Sequence, residues 1–574
     1  MHSRRVSLIA FVILAISSMV AFAADPELKP GQSLDSSLSP GQTQSFVISL
    51  DCGEFAQIGV TVQGHALVLK TYTPSGKPFR GTEVGPQGGT LNLVAEAAGA
   101  YRVEVTTTDK SAAEGLKITI ALQRVVPLAA RLVPKPVVES PRIQALRASA
   151  ENDRQRNADL LWEEIKKTGA PLIDPINGDQ ENMAVTFLWR GTPETHNVLV
   201  LWLPWLGVTP DEFFMERVDG TDVWYKTIKV DRKMRLAYTL ASNVGRIRPV
   251  PLGMDGDAIN MGAAAARPDP LNPKRYRCSP QSVDAPEYCG NSILEMPGAA
   301  PQPWTAKRTG VPVGRIEKHR YQSAAMGNER EIGVYLPPSY SQGAKPYPLL
   351  VLFDAHFYLG DETREPALVP TPTILDNLIA DERIPPMVAL FIGNAPGARE
   401  RELGCNPEFT KTLVKEVLPW AHARYNFTND PSQTVIGGSS LGGFAATCAG
   451  LWQPETFGNV LAQSGPFYRT APSGGDSTDS SSDENWVARQ FISAAKKPVR
   501  FYLDAGSGEF TATIGAESTL SSTRALRDVL RAKGYEVHYQ EFAGGHDYLS
   551  WRGTLADGLT ALIGIEKKEQ HNGR

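Results

Sequence analysis

A serine between two glycines is the strongest chemical signal in this sequence. Gly438-Ser439-Ser440-Leu441-Gly442 follows the apolar residues 433–437 and precedes a helix-favouring segment that starts near Gly442. Gly-x-Ser-x-Gly between a strand and a helix is typical of a nucleophile elbow, a sharp and strained turn that exposes the serine hydroxyl. We therefore predict that Ser440 is a nucleophile, and an ordinary Gly/Ser turn is the alternative.

A serine hydroxyl needs a general base, and in α/β-hydrolases the histidine follows the serine and the acid along the chain. Three of the nine histidines follow Ser440. His538 lies in an alternating strand segment, and His571 lies in the charged tail. His546 follows two glycines in the loop after that strand, so we predict that it is the base. The alternative is a loop histidine without a partner.

The acid of a catalytic triad orients the histidine and stabilises its protonated form. Residues 501–509 offer two carboxylates between the serine and the histidine. Asp504 is still within the strand pattern, whereas Glu509 lies in the glycine-rich loop beyond it, from which a side chain can reach His546. We favour Glu509 and keep Asp504, Asp547 and a dyad without an acid as alternatives.

An oxyanion hole needs two backbone N–H groups aimed at the developing charge. We predict that Leu441, directly after the nucleophile, supplies one of them. The loop after residues 348–353 should supply the other, and we name His356 as its donor.

The elements that must position these residues lie in residues 312–566, where strand and helix patterns alternate. Buried parallel strands are predicted at residues 330–336, 348–353, 388–392, 433–437, 459–464 and 499–505. Helices are predicted at residues 373–380, 409–425, 442–451, 519–533 and 553–565. This alternation indicates a doubly wound α/β sheet.

Two regions before this domain have short alternating segments separated by turn residues, a pattern typical of β-sandwiches. The first covers residues 25–125, and a linker with a helix follows at residues 126–175. The second, residues 176–311, has strand patterns up to about residue 240 and then a connector rich in Pro, Gly and Ala. The predicted fold is thus an α/β-hydrolase catalytic domain preceded by two β-sandwich domains.

Residues 1–23 have the three parts of a secretory signal peptide: a basic start, a short apolar run and an Ala-x-Ala cleavage site. We expect a periplasmic or secreted protein with no membrane span after cleavage, and an uncleaved anchor is the alternative.

With 58 basic and 62 acidic residues, the chain lacks the excess positive charge of a nucleic-acid binder.

Export would place the five cysteines in an oxidising compartment, where disulfides are stable. Cys278 and Cys289 are the first predicted pair, because they lie close together in one loop. Cys405 and Cys448 could form a second pair and leave Cys52 unpaired. The alternative is that all five are free thiols.

Several segments of residues 312–566 resemble the enterochelin esterase family, within the esterase D-like α/β-hydrolases. These segments are Leu350-Val351-Leu352-Phe353-Asp354-Ala355, Arg401-Glu402-Leu403-Gly404-Cys405-Asn406-Pro407-Glu408-Phe409, Gly437-Gly438-Ser439-Ser440-Leu441-Gly442-Gly443, Pro454-Glu455-Thr456-Phe457-Gly458, Gln463-Ser464-Gly465 and Gly544-Gly545-His546-Asp547. Residues 180–260 resemble the N-terminal domain of that family, and residues 28–60 resemble a pre-peptidase C-terminal domain. The resemblance implies Ser440 and His546 as catalytic residues. It also implies hydrolysis of the esters in a ferric catecholate siderophore trilactone, with release of iron.

A ferric tris-catecholate is anionic and aromatic, so its site should offer arginines and aromatic side chains. The candidates near the predicted pocket loops are Arg399, Arg401, Phe467, Tyr468 and Arg469. Alternatively, Arg401 pairs with Glu402 or Glu408 on the surface. No metal or organic cofactor is implied, because iron would arrive as part of the substrate. The sequence indicates no oligomeric state.

Two features depart from the family. After Gln463-Ser464-Gly465 the family usually has a pair of tryptophans, where this chain has Pro466-Phe467-Tyr468-Arg469. The predicted export and the first sandwich are also unusual. The same scaffold serves feruloyl and acetyl esterases, and the fold does not choose between these substrates. A carbohydrate esterase with an accessory binding module and a non-catalytic binding protein therefore remain alternatives.

Overall fold

The computed structural model of the protein describes residues 25–39, 41–63, 65–86, 88–107, 115–128, 138–203, 213–244, 249–250, 253–254, 264–277, 285, 287–360, 367–470, 485–509 and 518–565. The predicted signal peptide and Cys278 lie outside these residues. The chain divides into two compact units, Met1–Val137 and Val138–Arg574.

The first unit is a β-sandwich of two four-stranded antiparallel sheets, with strand orders β1-β8-β3-β6 and β2-β7-β4-β5. Its strands are β1 Ser33–Leu38, β2 Thr43–Leu50, β3 Phe55–Val62, β4 Leu67–Tyr72, β5 Pro78–Val84, β6 Gly89–Val94, β7 Gly99–Thr107 and β8 Leu116–Val126. Alternate residues of these strands are buried, as in Tyr101, Val103 and Val105 of β7. One face of each sheet therefore forms the core, and the other is polar.

The second unit begins with two helices, α1 Pro141–Ala148 and α2 Glu151–Thr168. Helix α2 has acidic residues in its first turn, basic residues in its last turn and Gly169 at its end, which are favourable helix-terminal features. Ile143 and Trp162 are buried against the sheet of the second sandwich. The predicted linker and helix are thus two helices that belong to this sandwich.

The second sandwich has the sheet orders β12-β13-β10-β9 and β11-β14-β19-β18, with β17 also paired to β14. A separate two-stranded ribbon is formed by β15 and β16. The strands are β9 Leu172–Ile176, β10 Asp179–Arg190, β11 Val198–Leu203, β12 Glu216–Arg217, β13 Val223–Asp231, β14 Arg235–Ser242, β15 Pro249–Val250, β16 Gly253–Met254, β17 Ala266–Arg267, β18 Arg275–Tyr276 and β19 Asn291–Glu295. The predicted connector therefore contributes strands to the sandwich. These strands have only two to five residues, which is too short for periodicity to be visible in the sequence.

The last domain is built on an eight-stranded sheet in the order β20-β21-β23-β22-β24-β25-β26-β27. Its strands are β20 Arg315–Ser323, β21 Asn328–Leu336, β22 Leu349–Phe353, β23 Val388–Ile392, β24 Thr434–Ser439, β25 Asn459–Gln463, β26 Arg500–Gly506 and β27 Glu536–Phe542. Strand β21 pairs antiparallel with β20 and β23, and the other pairs are parallel. The prediction of a parallel strand at residues 330–336 is therefore wrong in its direction, because an apolar pattern shows that a strand is buried but not which way it runs. The predicted fold class is confirmed, an α/β-hydrolase domain after two β-sandwiches.

Helices cover both faces of this sheet, so its central strands are buried on both sides. The helices are α3 Ala355–Leu359, α4 Thr371–Ala380, α5 Arg399–Leu403, α6 Pro407–Thr412, α7 Leu418–His422, α8 Leu441–Trp452, α9 Trp486–Ser493, α10 Thr519–Ala532 and α11 Tyr548–Ile563, with a π-helical turn at Leu413–Val417 and a 3₁₀ turn at Pro431–Gln433. The loops after the parallel strands meet at one edge of the sheet, where such folds bind ligands.

One predicted disulfide is present, between Cys405 before α6 and Cys448 in α8, with the Cα atoms 5.7 Å apart. Cys289 is also disulfide-bonded, and its predicted partner Cys278 lies outside the described residues. Cys52 is a free, exposed thiol, as predicted for the odd cysteine.

Candidate active site

Ser440 occupies the turn between strand β24 and helix α8. Its backbone has φ 54° and ψ −125°, a conformation that non-glycine residues rarely adopt and that is found at functional sites. A Cβ atom on Gly438 would lie 2.8 Å from the carbonyl carbon of Gly442, so this turn excludes a side chain there. The Ser440 N–H donates to the Gln463 carbonyl of β25 at 2.8 Å. The neighbouring strand thereby holds the strained turn in place.

The structure brings Ser440, His546 and Glu509 into one hydrogen-bonded line. Ser440 Oγ lies 2.8 Å from His546 Nε2, and His546 Nδ1 lies 2.9 Å from Glu509 Oε2. The Glu509 side chain is almost fully buried, whereas the imidazole is one-third exposed. Because the carboxylate accepts a hydrogen bond from Nδ1–H, the proton of the neutral imidazole stays on Nδ1. Nε2 is then unprotonated and can take the proton of the serine hydroxyl. The line can therefore activate the serine hydroxyl for attack.

The second oxygen of Glu509 is held by groups that the sequence did not indicate. Oε1 accepts hydrogen bonds from the Gly506 N–H at 2.8 Å and from the Ser464 hydroxyl at 2.5 Å. Ser464 in turn accepts from Trp551 Nε1 at 2.8 Å. The Trp551 ring also packs edge-on against the His546 imidazole, with centroids 4.7 Å apart. With Oε1 occupied in this way, the carboxylate is fixed with Oε2 toward the imidazole.

Ser464→Ala is expected to lower kcat about 10-fold, because a hydrogen bond to a charged, buried carboxylate contributes roughly 1.5–3 kcal/mol. KM should change little, since among the residues that the structure describes this hydroxyl hydrogen-bonds with Glu509 and Trp551, two groups that support the acid. Trp551→Phe keeps an aromatic ring beside His546 and removes the N–H, so it should lower kcat less. Steady-state kinetics with a simple ester would measure both. An unchanged kcat in Ser464→Ala would show that Glu509 does not need this hydroxyl.

The other two carboxylates considered from the sequence do not reach the imidazole. Asp504 is fully buried in β26 and accepts the Ser464 N–H at 3.1 Å. Burial, with a contribution from nearby Glu509, raises the pKa of Asp504 well above its usual value. Burial therefore disfavours the charged form of Asp504, which is the form that would stabilise an imidazolium. Asp547 accepts from the Leu549 N–H at 2.8 Å and the Ala237 N–H at 3.2 Å, so both of its oxygens are occupied elsewhere.

The two predicted oxyanion donors lie at the starts of helices that follow neighbouring strands. Leu441 is the first residue of α8, where a backbone N–H has no partner within its own helix. His356 lies in the first turn of α3, after β22, and β22 pairs directly with β24. Their roles as donors stay predictions.

An ion pair between Asp354 and Arg399, which the sequence did not indicate, lies beside the elbow. Asp354, buried at the end of β22, accepts from Arg399 through both carboxylate oxygens, at 2.7 and 2.9 Å. Its carboxylate lies close to Gly442, 3.6 Å from where a Cβ atom would be. The ion pair raises the pKa of the Arg399 guanidinium. Arg399 therefore holds the Asp354 carboxylate beside the elbow, and substrate binding by Arg399 stays a prediction.

Of the other predicted substrate contacts, three lie on the surface. Arg401 is exposed, and Tyr468 has 36% of its surface exposed. Arg469 pairs with Glu400 of α5 at 3.1 Å, with both side chains exposed. Substrate binding by these three residues stays a prediction.

The alternative partners of Arg401 are engaged elsewhere. Glu402 forms a buried ion pair with Arg330 at 2.9 Å. Glu408 lies 3.6 Å from Lys411 on the exposed face of α6. The structure therefore does not pair Arg401 with either acid.

The structure corrects the prediction made for Phe467. Its side chain is fully buried and packs near Phe444 of α8, with ring centroids 6.4 Å apart. The ring fills the space beside Gly465, where a Cβ atom would lie 2.4 Å from it. The prediction that Phe467 contacts a substrate is wrong, because this apolar ring is part of the core.

Within the part of the chain that the structure describes, no cluster of three or more His, Cys, Asp or Glu side chains is arranged to hold a metal ion. Among those same residues, no helix has both the length and the apolar character that a bilayer crossing requires.

Two family models match the second unit. The model for the N-terminal domain of enterochelin esterase covers residues 184–305, and an esterase model covers residues 323–562. Both matches follow the domains described above: the first lies on the second sandwich, and the second lies on the α/β-hydrolase sheet.

Among curated proteins, the iron(III) enterobactin esterase of Dickeya dadantii is 28% identical over 436 residues, which cover 71% of this chain and 94% of that protein. The iron(III) salmochelin esterase of Escherichia coli O6:H1 is 28% identical over 70% of this chain and 93% of that protein. These relatives match along nearly their whole length.

Solved structures of enterobactin esterases are similar to this chain as well. The ferric enterobactin esterase of Salmonella typhimurium has a TM-score of 0.55 and 27% identity, and the match covers 70% of this chain and 98% of that one. The enterobactin esterase of Shigella flexneri, solved in the presence of enterobactin, has a TM-score of 0.53 and 26% identity, with 70% and 97% covered.

Proposed function

Because this chain belongs to the enterochelin esterase family and is a carboxylic ester hydrolase, we propose that it cleaves the esters of a ferric catecholate siderophore trilactone. The proposed catalytic residues are Ser440, His546 and Glu509. The observation that carries the proposal is the continuous hydrogen-bonded line from the Ser440 hydroxyl through the imidazole to a buried carboxylate.

In the proposed first step, His546 Nε2 takes the hydroxyl proton while Ser440 Oγ attacks the ester carbonyl carbon. The Leu441 N–H, with a second donor near His356, stabilises the oxyanion of the tetrahedral intermediate. Glu509 stabilises the imidazolium that forms. His546 then gives its proton to the leaving alkoxide oxygen, and an acyl-enzyme on Ser440 remains.

In the second step, His546 takes a proton from water, and the resulting hydroxide attacks the acyl carbonyl. Collapse of this intermediate returns the proton to Ser440 Oγ and releases a carboxylic acid. The first cleavage opens the trilactone ring, and further cycles shorten the linear ester. Iron enters and leaves as part of the substrate.

Two kinds of evidence support the siderophore as substrate. The named enterobactin and salmochelin esterases match this chain across the second sandwich as well as the catalytic domain. An arginine and two aromatic side chains lie near the elbow: Arg399 binds Asp354, whose carboxylate lies close to Gly442, and Phe357 packs against Tyr548 with centroids 4.5 Å apart. Such groups suit an anionic aromatic substrate.

A panel of three esters tests this function: ferric enterobactin, methyl ferulate and p-nitrophenyl acetate, with products identified by mass spectrometry. We expect linear fragments from the ferric trilactone at a kcat/KM at least about 100-fold above that for the ferulate. Ser440→Ala should lower the rates of all three reactions by at least about 10⁴-fold. A preference for methyl ferulate would favour a phenolic-acid esterase. No turnover of any ester, with Ser440→Ala identical to wild type, would favour a non-catalytic binding protein.

We also propose that the protein works in an oxidising compartment, in the periplasm or outside the cell. The Cys405–Cys448 disulfide and the disulfide-bonded state of Cys289 support this location, since such bonds rarely persist in a reducing cytosol.

A further inference from the structure

The loop that carries His546 is bound to the second sandwich on both sides of the histidine. Before it, the Ala543 carbonyl accepts from the Arg235 N–H of β14 at 3.0 Å. After it, the Asp547 carboxylate accepts from the Ala237 N–H of the same strand at 3.2 Å. The histidine therefore lies in a short segment whose two ends are fixed to one strand of another domain.

Asp547 makes the more specific of these contacts. Its residue surface is only 8% exposed, and one carboxylate oxygen accepts from the Leu549 N–H at 2.8 Å while the other accepts from Ala237. Burial raises the pKa of Asp547, so the two N–H groups offset a desolvation cost. The side chain begins helix α11 and at the same time joins it to the sandwich.

Further contacts fasten the same segment. Gln302 donates to the Leu549 carbonyl at 2.8 Å and accepts from Arg552 Nε at 2.7 Å. A Cβ atom on Gly544 would lie 3.1 Å from the Arg235 carbonyl oxygen, so strand and loop are in close contact there. Ala237, Tyr276, Leu368 and Leu549 form a small buried apolar cluster across the same interface. Polar and apolar contacts thus act on one short stretch of chain.

We propose that the second sandwich is a working part of the active site: strand β14 fixes the catalytic histidine loop, and Asp547 is the positioning residue that connects them. A catalytic side chain keeps its productive position only when the groups that contact it are themselves fixed. A displacement of such a side chain by about 1 Å can lower the rate roughly 100-fold. The proposal rests on the proposed roles of Ser440 and His546 but is independent of the siderophore as substrate.

Asp547→Asn tests this with p-nitrophenyl acetate, whose hydrolysis needs the triad but no siderophore site. An asparagine amide would turn its NH₂ group toward one of the two N–H donors, so one contact is lost. We expect kcat to fall about 10- to 100-fold with KM within about 2-fold. The rate at which a fluorophosphonate modifies Ser440 should fall in parallel, because it also depends on the base.

Asp376→Asn is the matched control. Asp376 is 6% exposed, accepts from the Gly314 N–H at 2.9 Å and the Tyr335 hydroxyl at 2.7 Å, and has its pKa raised by burial. It lies in α4, which carries no triad residue. Both variants should lower the melting temperature, but Asp376→Asn should keep kcat within about 2-fold of wild type.

Gln302→Ala provides a second variant if Asp547→Asn does not fold, with an expected loss in kcat of about 3-fold and faster amide hydrogen exchange in residues 543–550.

Equal kcat values in Asp547→Asn, Asp376→Asn and wild type would overturn the positioning role. So would an unchanged kcat and unchanged exchange in Gln302→Ala. Turnover of p-nitrophenyl acetate without turnover of the ferric trilactone would overturn the proposed substrate and leave the Asp547 result valid. A wild type that reacts with neither the acetate nor the fluorophosphonate would overturn both proposals.

Discussion

Replacement of Ser440 with alanine is expected to lower kcat for ester hydrolysis by about 10⁴- to 10⁶-fold. The hydroxyl forms the covalent bond to the acyl group in the proposed mechanism, and it is the group that donates its hydrogen bond to His546 Nε2, at 2.8 Å. Activity that remains would come from the oxyanion donors and binding alone. Initial rates with p-nitrophenyl acetate and the ferric trilactone measure the loss.

The adjacent serine is the control for this substitution. Ser439 is buried at the end of β24 and accepts a hydrogen bond from the Tyr358 hydroxyl at 3.2 Å. Ser439→Ala should keep kcat within about 5-fold of wild type, because a neutral hydrogen bond contributes roughly 0.5–1.5 kcal/mol. Retention of more than a few per cent of activity in Ser440→Ala, or equal losses in both variants, would place the nucleophile elsewhere.

Glu509→Gln is expected to lower kcat by about 10²- to 10⁴-fold, because an uncharged amide neither stabilises the imidazolium nor enforces the Nδ1–H tautomer. The buried carboxylate accepts three hydrogen bonds, from His546, Ser464 and Gly506. An amide would turn its NH₂ group toward one of these donors. KM should change much less than kcat, and steady-state kinetics separate the two.

Asp504→Asn is the comparison that distinguishes Glu509, in the loop after β26, from Asp504, in the strand itself. Burial raises the pKa of Asp504 well above its usual value and so favours the uncharged form of this side chain. Asparagine is uncharged and of similar size, so Asp504→Asn should keep kcat within about 3-fold of wild type. A buried acid with a raised pKa loses folding free energy as pH rises above its unfolded pKa of about 3.9. Asp504→Asn removes this loss, so the free energy of unfolding of the variant, relative to that of wild type, should increase as pH rises above about 4. A larger loss of kcat in Asp504→Asn than in Glu509→Gln would make Asp504 the triad acid.

The sequence was sufficient to predict which residues meet at the site where their positions follow from chain order and from the ends of strands. Ser440, His546 and Glu509 each lie in a loop after a strand of one sheet, so the pattern that predicted the strands also predicted their common edge. Ser464 and Trp551 were missed as supports of the acid because their contacts join segments 45 and 87 residues apart in sequence. The available signal was Ser464 itself, which follows β25, the neighbour of the strand before Glu509.

The misses elsewhere have physical reasons of the same kind. Phe467 lies next to exposed Tyr468, and only packing decides which ring enters the core. Strand β20, at the edge of the sheet, contains Arg315, Glu317, Lys318 and Arg320, so it lacks an apolar pattern. Asp547 follows His546 directly, but its contact with Ala237 lies 310 residues away and depends on how two domains meet.

Mass spectrometry of the protein after reaction with a fluorophosphonate tests the central claim most directly. We predict a single adduct, on the peptide that contains Ser440, formed rapidly in wild type and at least about 100-fold more slowly in His546→Ala, which keeps the hydroxyl but lacks its base. An adduct on another residue, or equal rates of modification of Ser440 in both proteins, would contradict the account.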